Sequence, residues 1–173
     1  MRNSARSSIE KGSTSVSNKT LPAALFCVAL LSAIPRPLVS ASPEARHSVI
    51  WSFTFSGKDA SVSPQLDEVL ASARAAQRPV MIDFSAEWCA ACRLLDRNTF
   101  TAPDVIRQAS RFITIRIDLT NVDDATEVLA KRFGVLGLPT LAFVSSRGTV
   151  LASSNLLGLV DASTLALRLR EIP

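Results

Sequence analysis

The chain has few of the residues that build metal centres. It contains one histidine, His47, and three cysteines, of which Cys27 stands apart from the pair Cys89 and Cys92. A structural zinc site takes four ligands, and only Cys27 and His47 remain to complete the pair, so zinc is set aside. Haem attachment needs a histidine directly after the second cysteine, and Arg93 stands there. No metal and no other cofactor is expected. Excess charge is also missing from most of the chain. Of 19 basic and 15 acidic residues, Arg2, Arg6, Lys11, Lys19, Arg36 and the single acid Glu10 fall in residues 1–41, so the net charge of +4 belongs to that segment. The remainder is balanced, which argues against nucleic acid or an anionic membrane surface as partner.

A full membrane span is lacking too. Leu21 to Ile34 runs 14 residues without a charge, short of the roughly 20 apolar residues a spanning helix needs. Ahead of it, residues 1–20 carry six serines and four basic residues, and behind it Pro35, Arg36 and Pro37 end the run. These are the n-region and h-region of a secretory signal, and the small residues Val39 and Ala41 place the cut after Ala41. The alternatives are an uncleaved anchor and an organelle transit peptide, although transit peptides are amphipathic and do not normally hold such an apolar block. Cys27 follows Phe26 rather than a small residue and reads as a small hydrophobe, not a lipidation site. Residues 42–47 form a linker in which His47 is incidental. Residues 48–173 are expected to be one folded domain, and 47% hydrophobic with 20% charged residues is a globular composition.

Within that domain Val49, Trp51, Phe53 and Phe55 alternate with Ser48, Ile50, Ser52, Thr54 and Ser56 as in a half-buried strand. Ser63 offers a helix cap with Pro64 at the first helical position, followed by Leu66, Val69, Leu70 and Ala73 at helical spacing, and Arg78 and Pro79 end that helix. Val80, Met81 and Ile82 read as a central strand covered on both faces. A helix through Arg93 to Asn98 and a short one over Pro103 to Ala109 follow. Ile113, Ile115, Ile117 and Leu119 alternate as a further strand. Asp124 and Glu127 resemble a capping box for a helix burying Ala125, Val128, Leu129 and Phe133. Thr140 to Val144 is a strand, Arg147 and Gly148 a turn, and Thr149 to Ser153 the antiparallel partner. Asp161 caps a last helix with Ala162, Leu165, Ala166 and Leu169 on one side. This α/β order predicts a mixed sheet flanked by helices, with an extra N-terminal strand.

The chemistry concentrates after the central strand, in Trp88, Cys89, Ala90, Ala91 and Cys92. A helix starting at the first cysteine places both sulfurs on one face, Cys89 at the exposed end and Cys92 one turn deeper. The helix's first N–H groups and its dipole favour the Cys89 thiolate, the nucleophilic form. A purely structural disulfide is the competing reading, but such bridges usually staple distant segments rather than one helical turn. Asp83, on the strand leading into the motif, is either a buried carboxyl with a raised pKa or a strand residue reaching solvent or a cap. Trp88 is either a flat contact beside the sulfurs or a packing residue. Glu87 is a solvated charge unless it tunes Cys89.

The segment Ile82 to Cys92 resembles the thioredoxin active-site segment, and Gly137, Leu138, Pro139 and Thr140 resemble its cis-proline turn. More narrowly, Phe100 with Pro103 and the run Gly134 to Thr140 resemble the C-terminal periplasmic domain of DsbD-type transmembrane disulfide reductases, over residues 50 to 172 approximately. The resemblance implies a thioredoxin-like fold and an exported, periplasmic thiol–disulfide oxidoreductase that reduces protein disulfides. In it Cys89 attacks, Cys92 resolves the mixed disulfide and Asp83 accepts the Cys92 proton. It also implies that Pro139 is cis, where the residues alone suggest trans, and that Trp88, Leu138 and Pro139 meet an extended substrate segment. DsbD-type chains carry their own membrane core, so a separate membrane dithiol is expected as electron donor. Strongly oxidising relatives place a histidine inside the CxxC, whereas Ala90 and Ala91 offer no such donor, which favours a reductant or relay. A dedicated reductant for apocytochrome c maturation and a non-catalytic thioredoxin-fold binding module are the alternatives.

Overall fold

A computed structural model of the protein describes residues 48–56 and 62–173. The expected leader, its cleavage point, Cys27, the linker and His47 lie outside the described residues. In chain order the elements are β1 (Phe53–Ser56), α1 (Val62–Ala75), β2 (Val80–Ser85), α2 (Ala90–Asn98), α3 (Pro103–Ala109), β3 (Ile113–Asp118), α4 (Asp124–Phe133) and β4 (Thr140–Val144). A short 3-10 turn (Ala152–Ser154), β5 (Leu156–Leu157) and α5 (Ala162–Glu171) follow.

The strands form one mixed sheet in the order β1-β3-β2-β4-β5. β3 runs parallel to both β1 and β2, while β4 is antiparallel to β2 and to β5. Every residue of β2 is buried, as expected of a strand paired on both edges and covered on both faces. Its alternation sends side chains into two cores. Met81 joins Leu95, Phe100, Val105, Leu165 and Leu169 under α2, α3 and α5. Val80, Ile82 and Phe84 join Leu66, Leu129 and Phe133 under α1 and α4. The mixed sheet with helices on both faces and an extra strand at its N-terminal edge is the fold expected from the sequence.

Several local expectations need correction. β1 begins only at Phe53: the Ser52 N–H still donates to the Thr114 carbonyl of β3 at 2.8 Å, whereas the Val49 N–H has left the sheet for the Phe100 carbonyl at 2.9 Å. Phe53 is exposed and stacks on Phe55. α1 already includes Val62, whose side chain is buried in the core, so Ser63 lies inside the helix rather than capping it.

The capping box of α4 is Asp123 with Thr126, not Asp124 with Glu127, through reciprocal hydrogen bonds of 2.9 and 2.8 Å. That register buries Thr126, Leu129 and Phe133 and leaves Val128 exposed. The partner of β4 is not Thr149–Ser153, which contributes one bridge from Val150 to Val144. Beyond that bridge the chain turns into the 3-10 segment, and Leu156–Leu157 pairs with Thr140 and Leu141 instead. The Asp161 cap of α5 is as expected, its carboxylate accepting from the Thr164 N–H at 2.9 Å.

The corrected α4 register has a direct test. Leu129→Ala should cost about 2–5 kcal/mol, the usual loss for a buried leucine. Val128→Ala should change stability by less than about 0.5 kcal/mol. Urea unfolding midpoints with unchanged slopes measure both, and a larger loss at Val128 would restore the original helix face.

Candidate active site

The site is built where β2 ends and α2 begins. Cys89 is the N-cap of α2, in extended backbone conformation, and its Sγ accepts the Cys92 N–H at 3.1 Å. Cys89 and Cys92 are joined as a disulfide. An orphan donor at a helix start thus points at the first sulfur, the arrangement that stabilises negative charge there. Both cysteines are buried, at 6% and 5% exposure, so Cys89 is not the exposed end of the motif in the oxidised form. Ala86, Ala91 and Leu138 pack around the pair and account for the cover.

The loop that presents Cys89 is tied down from the β3–α4 connection. Thr120 receives the Glu87 N–H on its hydroxyl at 2.8 Å and the Trp88 indole N–H on its carbonyl at 3.2 Å. Arg93 reaches back to the Glu87 carbonyl at 2.6 Å. Trp88 is anchored by its nitrogen while 63% of it stays exposed, so it is neither a packing residue nor free. Opposite, the Leu138–Pro139 peptide bond is cis. Pro139 is buried and its carbonyl is taken by the Gly158 N–H at 2.8 Å. Leu138 touches the cysteine cluster.

Asp83 lies on β2, the strand that leads into the pair, 1% exposed and on the side of the sheet that α2 covers. Sequence reasoning missed its partner, Arg116, which stands beside it in register on β3. The Arg116 Nε and Nη2 donate to Asp83 Oδ2 at 2.8 and 2.7 Å, and Nη2 also meets Asp96 Oδ1 on α2 at 2.5 Å. The guanidinium carbon lies 4.4 Å from the centre of the Trp51 ring and 5.8 Å from that of Phe100. Asp83 Oδ1 has no hydrogen-bond partner among the described residues. Burial pushes the Asp83 carboxyl up from 3.8 to about 6, against the opposing pull of Arg116 and with a smaller upward push from Asp96. No group of three or more His, Cys, Asp or Glu side chains that could hold a metal ion occurs among the described residues.

A helix-capping CxxC disulfide, a cis-proline loop beside it and a buried aspartate on the strand leading to it, on a mixed five-stranded sheet, define a thioredoxin-fold protein. It carries a thioredoxin-like domain, the family model of that description matching residues 61–146. It is 38% identical over 112 residues to the thiol:disulfide interchange protein DsbD of Yersinia pestis (strain Pestoides F), covering 64% of this chain and 18% of that protein. With the DsbD of Cronobacter sakazakii it shares 35% identity over 154 residues, covering 87% of this chain and 25% of the relative. The chain therefore spans a quarter or less of the length of these relatives. Among solved structures, the C-terminal domain of Neisseria meningitidis DsbD in its oxidised form is 26% identical with a TM-score of 0.56, covering 64% of this chain and 96% of that one. A Thermus thermophilus thioredoxin is 27% identical with a TM-score of 0.52, covering 69% and 86%.

The raised Asp83 carboxyl has a stability consequence. The folded protein holds this proton more tightly than the unfolded chain, so stability is full below 3.8 and falls as pH rises through about 6. The loss amounts to about 3 kcal/mol at neutral pH. Thermal midpoints measured from pH 5 to 7.5 should decline in the wild type, and Asp83→Asn should flatten the decline.

Proposed function

We propose that this domain is a thiol–disulfide oxidoreductase that works in an exported, periplasmic setting and passes electrons to disulfides of other proteins. The observation that carries the reading is the Cys89–Cys92 disulfide at the N-terminus of α2, packed against Leu138 beside the cis bond to Pro139. The similar Neisseria domain is described in both oxidised and reduced forms, which supports a pair that cycles over one that only staples. Residues 1–41 serve as the secretory signal in this reading, with 42–47 as linker and 48–173 as the working domain. Among the described residues no helix is long and apolar enough to cross a membrane.

In the reduced domain the Cys89 thiolate attacks a substrate disulfide. A Cys89–substrate S–S bond forms, the substrate S–S bond breaks, and the displaced sulfur leaves as thiolate and takes a proton from water. Asp83 then accepts the Cys92 proton. The Cys92 thiolate attacks Cys89 Sγ, forming the intramolecular disulfide and releasing the second substrate sulfur as thiolate. Two electrons have moved to the substrate, and a membrane dithiol returns them by the same exchange in reverse. Trp88 and the backbone beside Pro139 receive an extended substrate segment. In support, neither the N–H nor the carbonyl of Leu138 has a hydrogen-bond partner among the described residues, leaving that edge open to strand-like pairing.

The test is reduction of a model protein disulfide together with trapping. Cys89→Ser should abolish turnover and trap nothing. Cys92→Ala should also lose turnover but accumulate a mixed disulfide on Cys89, seen as a reducible mass shift. A Cys92→Ala protein that traps no partner, together with a reduced wild type whose Cys89 resists alkylation at neutral pH, would leave only a structural bridge.

A further inference from the structure

Beyond residue 41 the charges balance along the sequence, but the fold separates them in space. We propose that the end of the domain opposite the cysteine pair is a docking surface for anionic lipid headgroups, carried by Arg74, Arg147 and Arg170. The inference concerns a surface outside the exchange site and stands independently of the reaction proposed above.

The topology gathers arginines at one end. β2 and β3 run in parallel towards the site, so their first residues, Val80 and Ile113, mark the opposite end. α1 finishes there with Arg74 in its last turn, followed by Arg78. The turn after β4, whose Val144 pairs with Val80, brings Arg147 to the same end. α5 finishes there too, because the Ser146 N–H donates to the Pro173 carbonyl at 2.9 Å, and Arg170 lies in its last turn. Arg107 and Arg111 arrive with the end of α3. The acids collect at the other end. Asp118 closes β3 opposite Ser85, Asp123, Asp124 and Glu127 open α4, and Asp161 caps α5.

Basic residues in last turns commonly answer the helix dipole, and part of the cluster does so. Arg78 donates to the carbonyls of Ser110, Arg111 and Phe112, and Arg111 to those of Leu169 and Ile172. Arg107 and Arg168 pair with Asp104 and Glu171 at 2.6 and 3.5 Å. Arg74, Arg147 and Arg170 differ: each is exposed, and its side chain has no hydrogen bond or ion pair among the described residues. Arg147 belongs to no helix, so no dipole accounts for it. The Arg74 stem lies against the same turn, its Cδ 3.0 Å from where a Cβ on Gly148 would stand. Two uncompensated arginines therefore share one turn, and the local potential favours an anion from outside.

Phosphate-bearing headgroups fit this surface because a guanidinium offers forked donors to phosphate oxygens, and a fluid array of headgroups adjusts to scattered cations. A protein partner needs an apolar centre, and the exposed Trp88, Leu136, Leu157 and Leu159 lie at the other end, whereas Ile50 stands beside Arg78. The chain also enters the domain here, because Ser48, Val49 and Ile50 line a cleft with Arg78 and Arg107. Residues 35–47 separate Ser48 from the apolar run ending at Ile34, so a chain that keeps that run has this end within about 45 Å of it. Bound this way, the protein turns Cys89 towards water. A contact built from a few screened charges is reversible, so it holds the domain near a membrane donor and leaves it free to turn.

The experiment uses the full chain with vesicles of phosphatidylcholine alone or mixed with phosphatidylglycerol. Co-sedimentation at low and high salt measures partition, and a dicarbonyl reagent for guanidinium groups, read by mass spectrometry, reports on each arginine. Anionic vesicles should protect Arg74, Arg147 and Arg170 and leave Arg93, next to Cys92, unprotected. High salt should remove the protection. Arg74→Gln, Arg147→Gln and Arg170→Gln together should weaken partition to anionic vesicles about a hundredfold, about fivefold for each charge, and leave binding to neutral vesicles unchanged. Should that variant not fold, Arg147→Gln with Arg170→Gln carries the test, with a loss of about 25-fold. Partition unmoved by these substitutions, or protection of Arg93 equal to that of the three, overturns the proposal and leaves vesicle binding to residues 1–41. Salt-sensitive binding to polyglutamate without binding to anionic vesicles also overturns it, and would give the surface to an acidic protein.

Discussion

The central place of β2 in the sheet is the constraint from which the site follows. Paired with β3 on one edge and β4 on the other, and buried along its whole length, this strand cannot shift register without turning Met81 and Ile82 out of their cores. Its end therefore delivers Cys89 to a fixed point at the start of α2. The pairing with β4 brings the loop holding Pro139 to the same end of the sheet, and the pairing with β3 sets Arg116 beside Asp83. Three segments far apart in sequence meet because one strand lies between the other two.

Burial and charge work against each other at Asp83, and the balance suits the proton-accepting role proposed for it. A carboxyl taken from water resists ionisation, while Arg116 favours it. The result is a group poised near neutrality rather than one fully committed to either state, which general acid–base chemistry favours. Asp83 is also a place where the protein gives up stability at neutral pH. Such a loss at a buried polar group with one unpartnered oxygen is typical of functional sites rather than of packing.

Much of the fold was legible in local pattern. The order of strands and helices, the full burial of β2, the span of α3 and the Asp161 cap all follow from periodicity and end signals in short windows. The CxxC pair was legible for the same reason, since three-residue spacing and a helix start are local facts. What was misread lay at element ends. The α4 capping box slipped by one residue because Asp123 and Asp124 both suit a cap, and only burial of Thr126 and Leu129 decides between them. The partner of β4 was misplaced because Thr149–Ser153 has strand-forming residues, yet the chain leaves the sheet after one bridge and returns at Leu156.

The amino-acid sequence alone determined the order of the elements, the cysteine pair at a helix start and an aspartate on the strand before it, because each is encoded by neighbours in the chain. Tertiary structure alone decided that Arg116 faces Asp83 across 33 positions, that Trp51 lies over the guanidinium, and that Leu138 packs against the cysteine cluster. An alternating strand offers Thr114, Arg116 and Asp118 alike as its polar face. Which of them meets a buried charge depends on the parallel register between β2 and β3, which is set by the packing of both faces of the sheet and not by any local signal.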